Sequence, residues 1–166
     1  MMRECTTADL VEIAEVINDA AQAYRGVIAA DRWHDPYMPL AELRAEVDAG
    51  VVFWGAGDVG RLDAVMGLQQ VGDVALIRHA YTRTECQGRG LGRALLAHLR
   101  ARTDRPMLIG TWAAATWAVR FYQRQGFHLV TVPQKDALLR RYWTVPERQI
   151  EDSVVLADER WFARGR

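Results

Sequence analysis

Three apolar segments in the middle of the chain follow one another with only short connections that contain glycine. They are Val51–Trp54, Leu62–Gln69 and Val74–Thr82. Apolar runs of this length between glycine-rich turns are typical of β-strands. Parallel neighbours need a crossover of about a dozen residues or more, so strands joined this closely must run antiparallel. The sequence therefore predicts an antiparallel meander, which restricts the possible folds more than any other feature.

The chain after the meander alternates between helical and extended patterns. Leucine and alanine recur at helical spacing over residues 90–102, and an apolar strand is predicted at Pro106–Thr111. A second helix at Ala114–Gln125 leads to a further strand at Phe127–Val132. A strand–helix–strand unit of this length is a parallel crossover. The second half therefore predicts parallel strands added to the meander.

We expect one α/β domain with a mixed sheet over residues 1–166, because no internal repeat, low-complexity tract or linker interrupts the chain. Helix caps and apolar spacing place the shorter elements at both ends. These are a strand at Arg3–Cys5, a helix capped by Thr6 or Thr7, a loop at Ala30–Pro39, a helix from Pro39 to Gly50, a helix at Gln134–Tyr142 and a strand at Ser153–Leu156.

Charge and cysteine content argue against several function classes. The 21 basic and 21 acidic side chains balance to a formal net charge of zero. Proteins that bind nucleic acids or membrane surfaces usually carry a basic excess, so neither partner is expected. No apolar run reaches the roughly 18 residues of a membrane span, and the N-terminus does not resemble a signal peptide. With only Cys5 and Cys86 present, we expect a cytoplasmic protein without a disulfide framework.

The stretch Gln87–Gly92 reads Gln-Gly-Arg-Gly-Leu-Gly and lies between the last meander strand and a predicted helix. Its glycines allow successive backbone N–H groups to converge without interference from side chains. The start of a helix also favours a negative group, because its N–H groups have no partner and its dipole is positive there. The stretch is therefore a candidate cradle for a pyrophosphate, with Arg89 and Arg93 within reach.

Two common phosphate motifs do not fit this cradle, and an ordinary chain-reversing turn stays open as an alternative. The dinucleotide fingerprint needs G-x-G-x-x-G spacing and an acidic residue at the end of the next strand. Here the glycines stand at Gly88, Gly90 and Gly92, and the next strand ends in Thr111-Trp112. A P-loop needs a Lys-Ser or Lys-Thr pair after the last glycine, and none follows.

Two segments together resemble the GNAT superfamily of N-acetyltransferases. The pattern Gln-x-x-Gly-x-Gly at Gln87–Gly92 is similar to the coenzyme A signature of that superfamily. Ala118–Phe127 resembles its A-x-x-F-Y-x-x-x-G-F signature, which is found one strand later. The resemblance covers nearly all of the chain. It implies a GNAT-like fold in which two central strands splay apart, with acetyl-CoA as cosubstrate and no metal.

The resemblance also implies roles for individual residues. Tyr122 matches the tyrosine that serves as general acid for the departing thiolate, although a core tyrosine is the alternative. The stretch before the cradle would pair with the pantetheine arm, and the cradle would hold the pyrophosphate. The implied cofactor-binding residues are Ala80, Tyr81, Thr82, Gln87, Gly88, Arg89, Gly90, Leu91, Gly92 and Arg93.

The sequence does not identify the general base. The positions that carry a side-chain base in many relatives are Leu76 and Arg78 here, and neither side chain can serve. His79 is chemically suited to be a base, because an imidazole ordinarily titrates near neutral pH. Strand alternation, however, places its side chain on the opposite face from Leu76 and Arg78 unless a bulge shifts the register. A buried histidine that is satisfied by a backbone partner is the alternative. A water chain or the loop Trp33–Asp35 are further possibilities.

The acceptor pocket is expected near the first two helices and their loop. We predict Tyr24, Trp33, His34 and Arg78 as substrate-binding residues, and Arg78 suggests a small amine that carries an acidic group. The aromatic residues alternatively only pack the loop onto the core. A protein or peptide acetyltransferase and a non-catalytic acetyl-CoA-binding module are the competing functions. A homodimer contact is a further expectation for the apolar C-terminal segments.

Overall fold

The computed structural model describes residues 1–58 and 60–164, and its strands form one seven-stranded sheet. The strand order across the sheet is β1-β2-β3-β4-β5-β7-β6. The strands are β1 (Met2–Glu4), β2 (Val52–Ala56), β3 (Ala64–Val71), β4 (Val74–Thr82), β5 (Met107–Trp112), β6 (His128–Leu129) and β7 (Ser153–Ala157).

Seven α-helices are found in the described part of the chain. Three single turns of 3-10 helix accompany them, at Thr7–Asp9, Ala21–Tyr24 and Thr84–Cys86. Among the described residues, no helix combines the length and apolar character that crossing a membrane requires. The helices are α1 (Leu10–Ala20), α2 (Leu40–Asp48), α3 (Leu91–Arg100), α4 (Thr116–Arg124), α5 (Val132–Tyr142), α6 (Glu147–Glu151) and α7 (Glu159–Phe162).

The meander that the sequence predicts is confirmed. Strands β2 and β3 pair antiparallel, with Val52 opposite Leu68 and Ala56 opposite Ala64. Strand β4 is the next neighbour of β3, and only Gly72 and Asp73 connect the two. Gly72 has a φ of 55°, a backbone conformation that glycine adopts without steric cost. Short turns of this kind fix which strands are neighbours.

The second half of the sheet differs from the prediction in two respects. Strands β5 and β6 run in the same direction, as expected, because both pair antiparallel with β7. However, β7 lies between them, so they are not neighbours. Strand β6 is also shorter than the predicted Phe127–Val132. Thr131 and Gln134 form a capping box that starts α5 at Val132, and this ends the extended segment.

The chain divides into two compact units. The first unit contains Met1–Gln69 and Ile77–Asp104. Its core packs α1 and α2 against the apolar faces of β2 and β3, with Ile17 and Leu43 fully buried. The second unit contains Gln70–Leu76 and the described residues from Arg105 onward, with its own core around Leu108 and Val155. A single domain over the whole chain stays a prediction.

Close packing of β3 makes the absence of a side chain at Gly67 a structural requirement. A Cβ atom at Gly67 would lie 2.8 Å from the carbonyl oxygen of Arg78 and 2.8 Å from Cγ1 of Val51. We expect Gly67→Ala to lower the free energy of unfolding by about 1–3 kcal/mol, because overpacking displaces buried backbone. Denaturation in urea would measure this loss.

Gly110→Ala is the matched control, since the nearest atom to a Cβ at Gly110 lies 3.3 Å away in the side chain of Trp143. A side chain can move where a strand backbone cannot, so the control is expected to lose less stability. Equal losses in the two variants would show that the contact with the Arg78 carbonyl is not the limiting one.

Candidate functional site

The predicted phosphate cradle connects the end of β4 to the start of α3. After the turn Thr84–Cys86, the chain enters the left-handed region twice, at Gly88 (φ 79°) and at Gly90 (φ 78°). Only glycine adopts these angles without strain, which explains two of the three glycines in the stretch. Gly90 is the N-cap of α3, and Gly92 lies in its first turn.

The cradle presents donors to an open space. The first hydrogen bond of α3 is donated by the N–H of Ala94 to the carbonyl of Gly90, at 3.0 Å. The N–H groups that precede Ala94 therefore have no acceptor within the helix. A Cβ at Gly88 would meet no atom within 4 Å, and one at Gly90 would meet only Nη2 of Arg93, at 3.9 Å. Open space, converging N–H groups and a guanidinium fit a pyrophosphate.

Neighbouring segments of the first unit hold the approach to the cradle in place. The N–H of Thr84 donates to the Asp19 carboxylate at 2.7 Å, which ties the turn to the C-terminal end of α1. The Arg83 N–H donates to the carbonyl of Asp63 at 2.8 Å, and its guanidinium donates to the carbonyl of Leu62 at 2.7 Å. Cys86 is buried beneath the turn. The cradle is thus anchored before any ligand arrives.

The predicted acceptor residues of the first two helices meet in an aromatic cluster. Trp33 and His34 stack on Tyr37, with ring centroids 5.6 and 5.9 Å away. Tyr24 lies 5.4 Å from Tyr37 and 6.2 Å from Tyr81 of β4. Burial raises the pKa of Tyr24, and its hydrogen bond with Tyr81 opposes part of that rise. The cluster connects the loop after α1 to the strand that leads into the cradle.

Asn18 fixes the end of this loop. Its side-chain amide donates to the carbonyl of Met38 at 3.0 Å, and its side-chain oxygen accepts from the N–H of Met38 at 2.7 Å. Met38 is buried in the core of the first unit. Both backbone groups of Met38 are hydrogen-bonded and its side chain is buried, so its position is fixed. The loop therefore has a defined end next to α2.

Arg78, a predicted substrate ligand, already has two protein partners. Its guanidinium donates to the side-chain oxygen of Gln69 at 2.9 Å and to the Glu46 carboxylate at 3.3 Å. The side chains of Arg78 and Glu46 expose only 22% and 20% of their surface. The positive charge of Arg78 is therefore largely balanced by a half-buried ion pair within the protein.

His79 breaks the alternation of β4 and contacts the same carboxylate. Its φ of 53° is in the left-handed region, which is uncommon for a residue other than glycine. This backbone geometry lets two consecutive residues, Arg78 and His79, both reach Glu46. The bond joins Nε2 of His79 to Oε2 of Glu46, and the ring stacks on buried Phe53 with centroids 6.1 Å apart. The partner is a carboxylate, not the backbone group that the sequence suggested.

The surroundings of Glu46 keep its carboxylate ionised. Burial alone would favour the neutral acid. The hydrogen bond with His79 and the charges of His79 and Arg78 outweigh burial and lower the pKa of Glu46 below its ordinary value. Because the folded-state pKa is depressed, the pairing stabilises the fold above the ordinary carboxyl pKa. That contribution is lost as the pH falls through the folded value.

Glu46 is the site residue that sequence reasoning missed. One signal was present: the last turn of α2 contains Glu46 and Asp48 and no basic residue. A carboxylate near the C-terminal end of a helix interacts unfavourably with the helix dipole, so this placement indicates a partner for the carboxylate outside the helix. The sequence did not indicate which strand residue Glu46 would meet.

The remaining predicted residues occupy both units. Ala80, Tyr81 and Thr82 end β4 and are half-buried, while Arg89 is exposed beside the cradle. Tyr122 belongs to the second unit, where it is buried on α4 with edge-on contacts to Phe121 and Phe127, at 5.1 and 6.1 Å. Among residues 1–58 and 60–164, no three histidine, cysteine or acidic side chains cluster in a way that would hold a metal ion.

Comparison with known proteins shows the family of this chain. The family model for the acetyltransferase (GNAT) domain matches residues 16–141. A peptidyl-lysine N-acetyltransferase of Escherichia coli K12, YiaC, is 26% identical over 143 residues, which are 86% of this chain and 93% of YiaC. Residues 16–141, which the family model matches, contain both motifs and the segment from α2 to β4.

Solved structures share the fold at low sequence identity. The PaiA N-acetyltransferase of Thermoplasma acidophilum, in complex with coenzyme A, superposes with a TM-score of 0.69 at 15% identity, covering 95% of this chain and 97% of that one. YncA of Salmonella typhimurium, solved with acetyl-CoA, gives a TM-score of 0.59 at 23% identity, covering 79% and 80%. The chain therefore belongs to the GNAT family and is an acyl-CoA-dependent acetyltransferase.

Proposed function

We propose that the protein transfers the acetyl group of acetyl-CoA to a primary amine, most directly the side chain of a lysine in a peptide or protein. The observation that carries the acetyl-CoA part is the cradle of Gly88 to Arg93. The helix N–H groups before Ala94 have no acceptor within α3, and a Cβ at Gly88 or Gly90 would meet no atom within 4 Å except Nη2 of Arg93. The structural relatives with coenzyme A or acetyl-CoA support the same ligand.

Different segments of the chain would bind different parts of acetyl-CoA. The N–H groups at the start of α3 and the guanidiniums of Arg89 and Arg93 would hold the pyrophosphate. The backbone of Ala80–Thr82 would pair with the pantetheine arm as an added strand. A backbone N–H in this segment would also stabilise the negative charge that develops on the thioester oxygen.

Tyr122 would supply a proton to the departing thiolate. This role rests on its position in the segment Ala118–Phe127, which matches the family pattern throughout. Its burial on α4 between aromatic rings restricts the ring to few orientations, as a positioned proton donor requires.

Two observations support a lysine acceptor. YiaC, which aligns over most of this chain, is named for peptidyl-lysine acetylation. In addition, Arg78 pairs with Glu46 and Gln69, so its charge is poorly placed to attract a carboxylate on a small acceptor. A lysine side chain brings only an ammonium group to the site.

A small-molecule amine is the second candidate, and the aromatic cluster favours it. Stacked rings at Trp33, His34 and Tyr37 form a compact wall that suits a small acceptor better than an extended peptide. An acetyl-CoA-binding module without turnover is the remaining alternative, and the acceptor experiment distinguishes all three.

The acceptor experiment incubates the protein with acetyl-CoA and either lysine-containing peptides or a panel of small primary amines. The peptides have blocked N-termini, and matched peptides carry arginine in place of lysine. We expect a mass increase of one acetyl group on the lysine peptides alone. Lys135 is the only lysine of the protein and is buried with its ammonium on the Ile150 carbonyl at 2.7 Å, so self-acetylation should add little background.

Acetylation of the small amines alone would favour the second candidate. Binding of acetyl-CoA without transfer to any acceptor would favour the binding module, and the proposed enzyme activity would then be wrong.

The cradle can be tested by calorimetry with acetyl-CoA. We expect Gly90→Ala to weaken binding by at least about tenfold, equivalent to about 1.4 kcal/mol, because its methyl group enters the space proposed for the phosphate. Gly26→Ala is the matched control: Gly26 has a φ of 77°, and a Cβ there also meets no atom within 4 Å. The control should lose similar stability and keep its affinity. Equal affinities in both variants would contradict the cradle.

Tyr122→Phe tests the proton donor. We expect kcat to fall by about 10²-fold or more, because the phenol can no longer protonate the thiolate. Affinity for acetyl-CoA, measured by calorimetry, should not change. A kcat close to the wild-type value would assign Tyr122 to the core of the second unit alone.

A further inference from the structure

Acetyl transfer to an amine requires a proton acceptor that the proposed function leaves unnamed. An alkyl ammonium has a pKa near 10, so at neutral pH it must lose a proton before its nitrogen can attack. Given the proposed function, one residue of the chain must take this proton.

The arrangement of α2 and β4 points to such a residue. Glu46 extends from the last turn of α2 and binds Nε2 of His79, while Phe53 covers one face of the same ring. We propose that His79 is the general base for the acceptor amine and that Glu46 positions its ring. Glu46 is a positioning residue, because it acts through His79 and does not touch the acceptor.

The hydrogen bond determines which ring nitrogen accepts the proton. An ionised carboxylate has no hydrogen to donate, so Nε2 of the neutral ring must carry the proton that Glu46 receives. The other nitrogen, Nδ1, then has the lone pair. Because Arg78 also contacts Glu46, the carboxylate stays ionised and continues to select this tautomer. Glu46 itself is too weak a base for the role.

The position of His79 in the chain suits this role. It immediately precedes Ala80–Thr82, the segment proposed to pair with the pantetheine arm. Its side chain is 15% exposed, so the ring is shielded but reachable. The aromatic cluster meets the same strand two residues later, at Tyr81, through its contact with Tyr24. His79 is therefore adjacent in the chain to the segment proposed for the donor and two residues from a member of the aromatic cluster.

The arrangement has two local energetic costs. The left-handed backbone at His79 is strained for a residue other than glycine, and a carboxylate in the last turn of α2 opposes the helix dipole. Strained residues of this kind concentrate at functional sites. The charged groups that face His79 are Glu46 from α2 and its strand neighbour Arg78.

The proton balance of the step is complete without a further reactant. The ammonium group gives one proton to Nδ1, and the free amine forms a C–N bond to the acetyl carbon. The C–S bond breaks, and the departing thiolate takes a proton from Tyr122. The nitrogen loses its second proton to solvent, and solvent returns one proton to Tyr122. His79 returns its proton to solvent. The net products are the amide, the free thiol and one proton.

The first test does not depend on turnover. Long-range ¹H–¹⁵N correlation spectra distinguish the two neutral histidine tautomers, and loss of one ring signal in His79→Ala assigns the resonance among the four histidines. We expect the Nε2–H tautomer for His79 in the wild-type protein. The Nδ1–H tautomer would overturn the proposal, because no lone pair would then be available at Nδ1.

The second test measures acetyl transfer. We expect His79→Ala to lower kcat at least about 10²-fold with unchanged affinity for acetyl-CoA, and added imidazole to restore part of the rate. In Glu46→Gln the preference of His79 for the Nε2–H tautomer should weaken and kcat should fall, because an amide can donate to Nε2 as well as accept from it. A folded His79→Ala variant with wild-type kcat would overturn the proposal.

Two control variants distinguish the proposed roles of His79 and Glu46 from an unspecific loss of activity on substitution. His128→Ala removes an exposed histidine that contacts Phe162, and Glu42→Gln removes an exposed carboxylate from the first turn of α2. Both should keep the wild-type rate and pH profile. If the wild-type protein accepts no amine, the proposed function fails, and the tautomer of His79 still decides the positioning by Glu46.

Discussion

The Glu46 carboxylate is the group on which the arrangement of the candidate site depends. It joins the last turn of α2 to β4 and contacts two consecutive residues there, Arg78 and His79. Without it, a guanidinium and an imidazole would lie side by side and half-buried with no balancing charge from α2. Removing one partner of such a group usually costs more than the pairing contributes, because the remaining charge stays desolvated. The left-handed backbone at His79 accompanies these contacts with the same carboxylate.

The site is compact in sequence because one strand and one helix start supply most of it. Residues 78–93 include the proposed base, the segment proposed for the pantetheine arm, and the cradle. A strand held by its sheet neighbours offers rigid backbone groups, and a helix start offers N–H donors that need an outside acceptor. Asp19 and Asp63 hold the turn between them, so the cradle is formed before a ligand binds.

Charge balance also bears on the choice of acceptor. Arg78 would be the natural partner for an acidic acceptor, but Glu46 and Gln69 already occupy its guanidinium. The residues proposed for acceptor binding belong to an aromatic cluster in which Tyr24 contacts Tyr37 and Tyr81, and Trp33 stacks on Tyr37. Aromatic faces attract cations, so this surface is compatible with an approaching ammonium group.

The amino-acid sequence by itself determined the meander, the helix that follows the cradle, the glycines of the cradle and the family. These features depend on turn chemistry and on apolar spacing over a few neighbouring residues, and both can be read locally. Only the tertiary structure decided the order of β5, β7 and β6 and the pairing of His79 with Glu46, 33 residues apart. Strand alternation would place the side chains of Arg78 and His79 on opposite faces of β4. The positive φ of His79, which no local sequence pattern predicts, changes this and lets both residues reach Glu46.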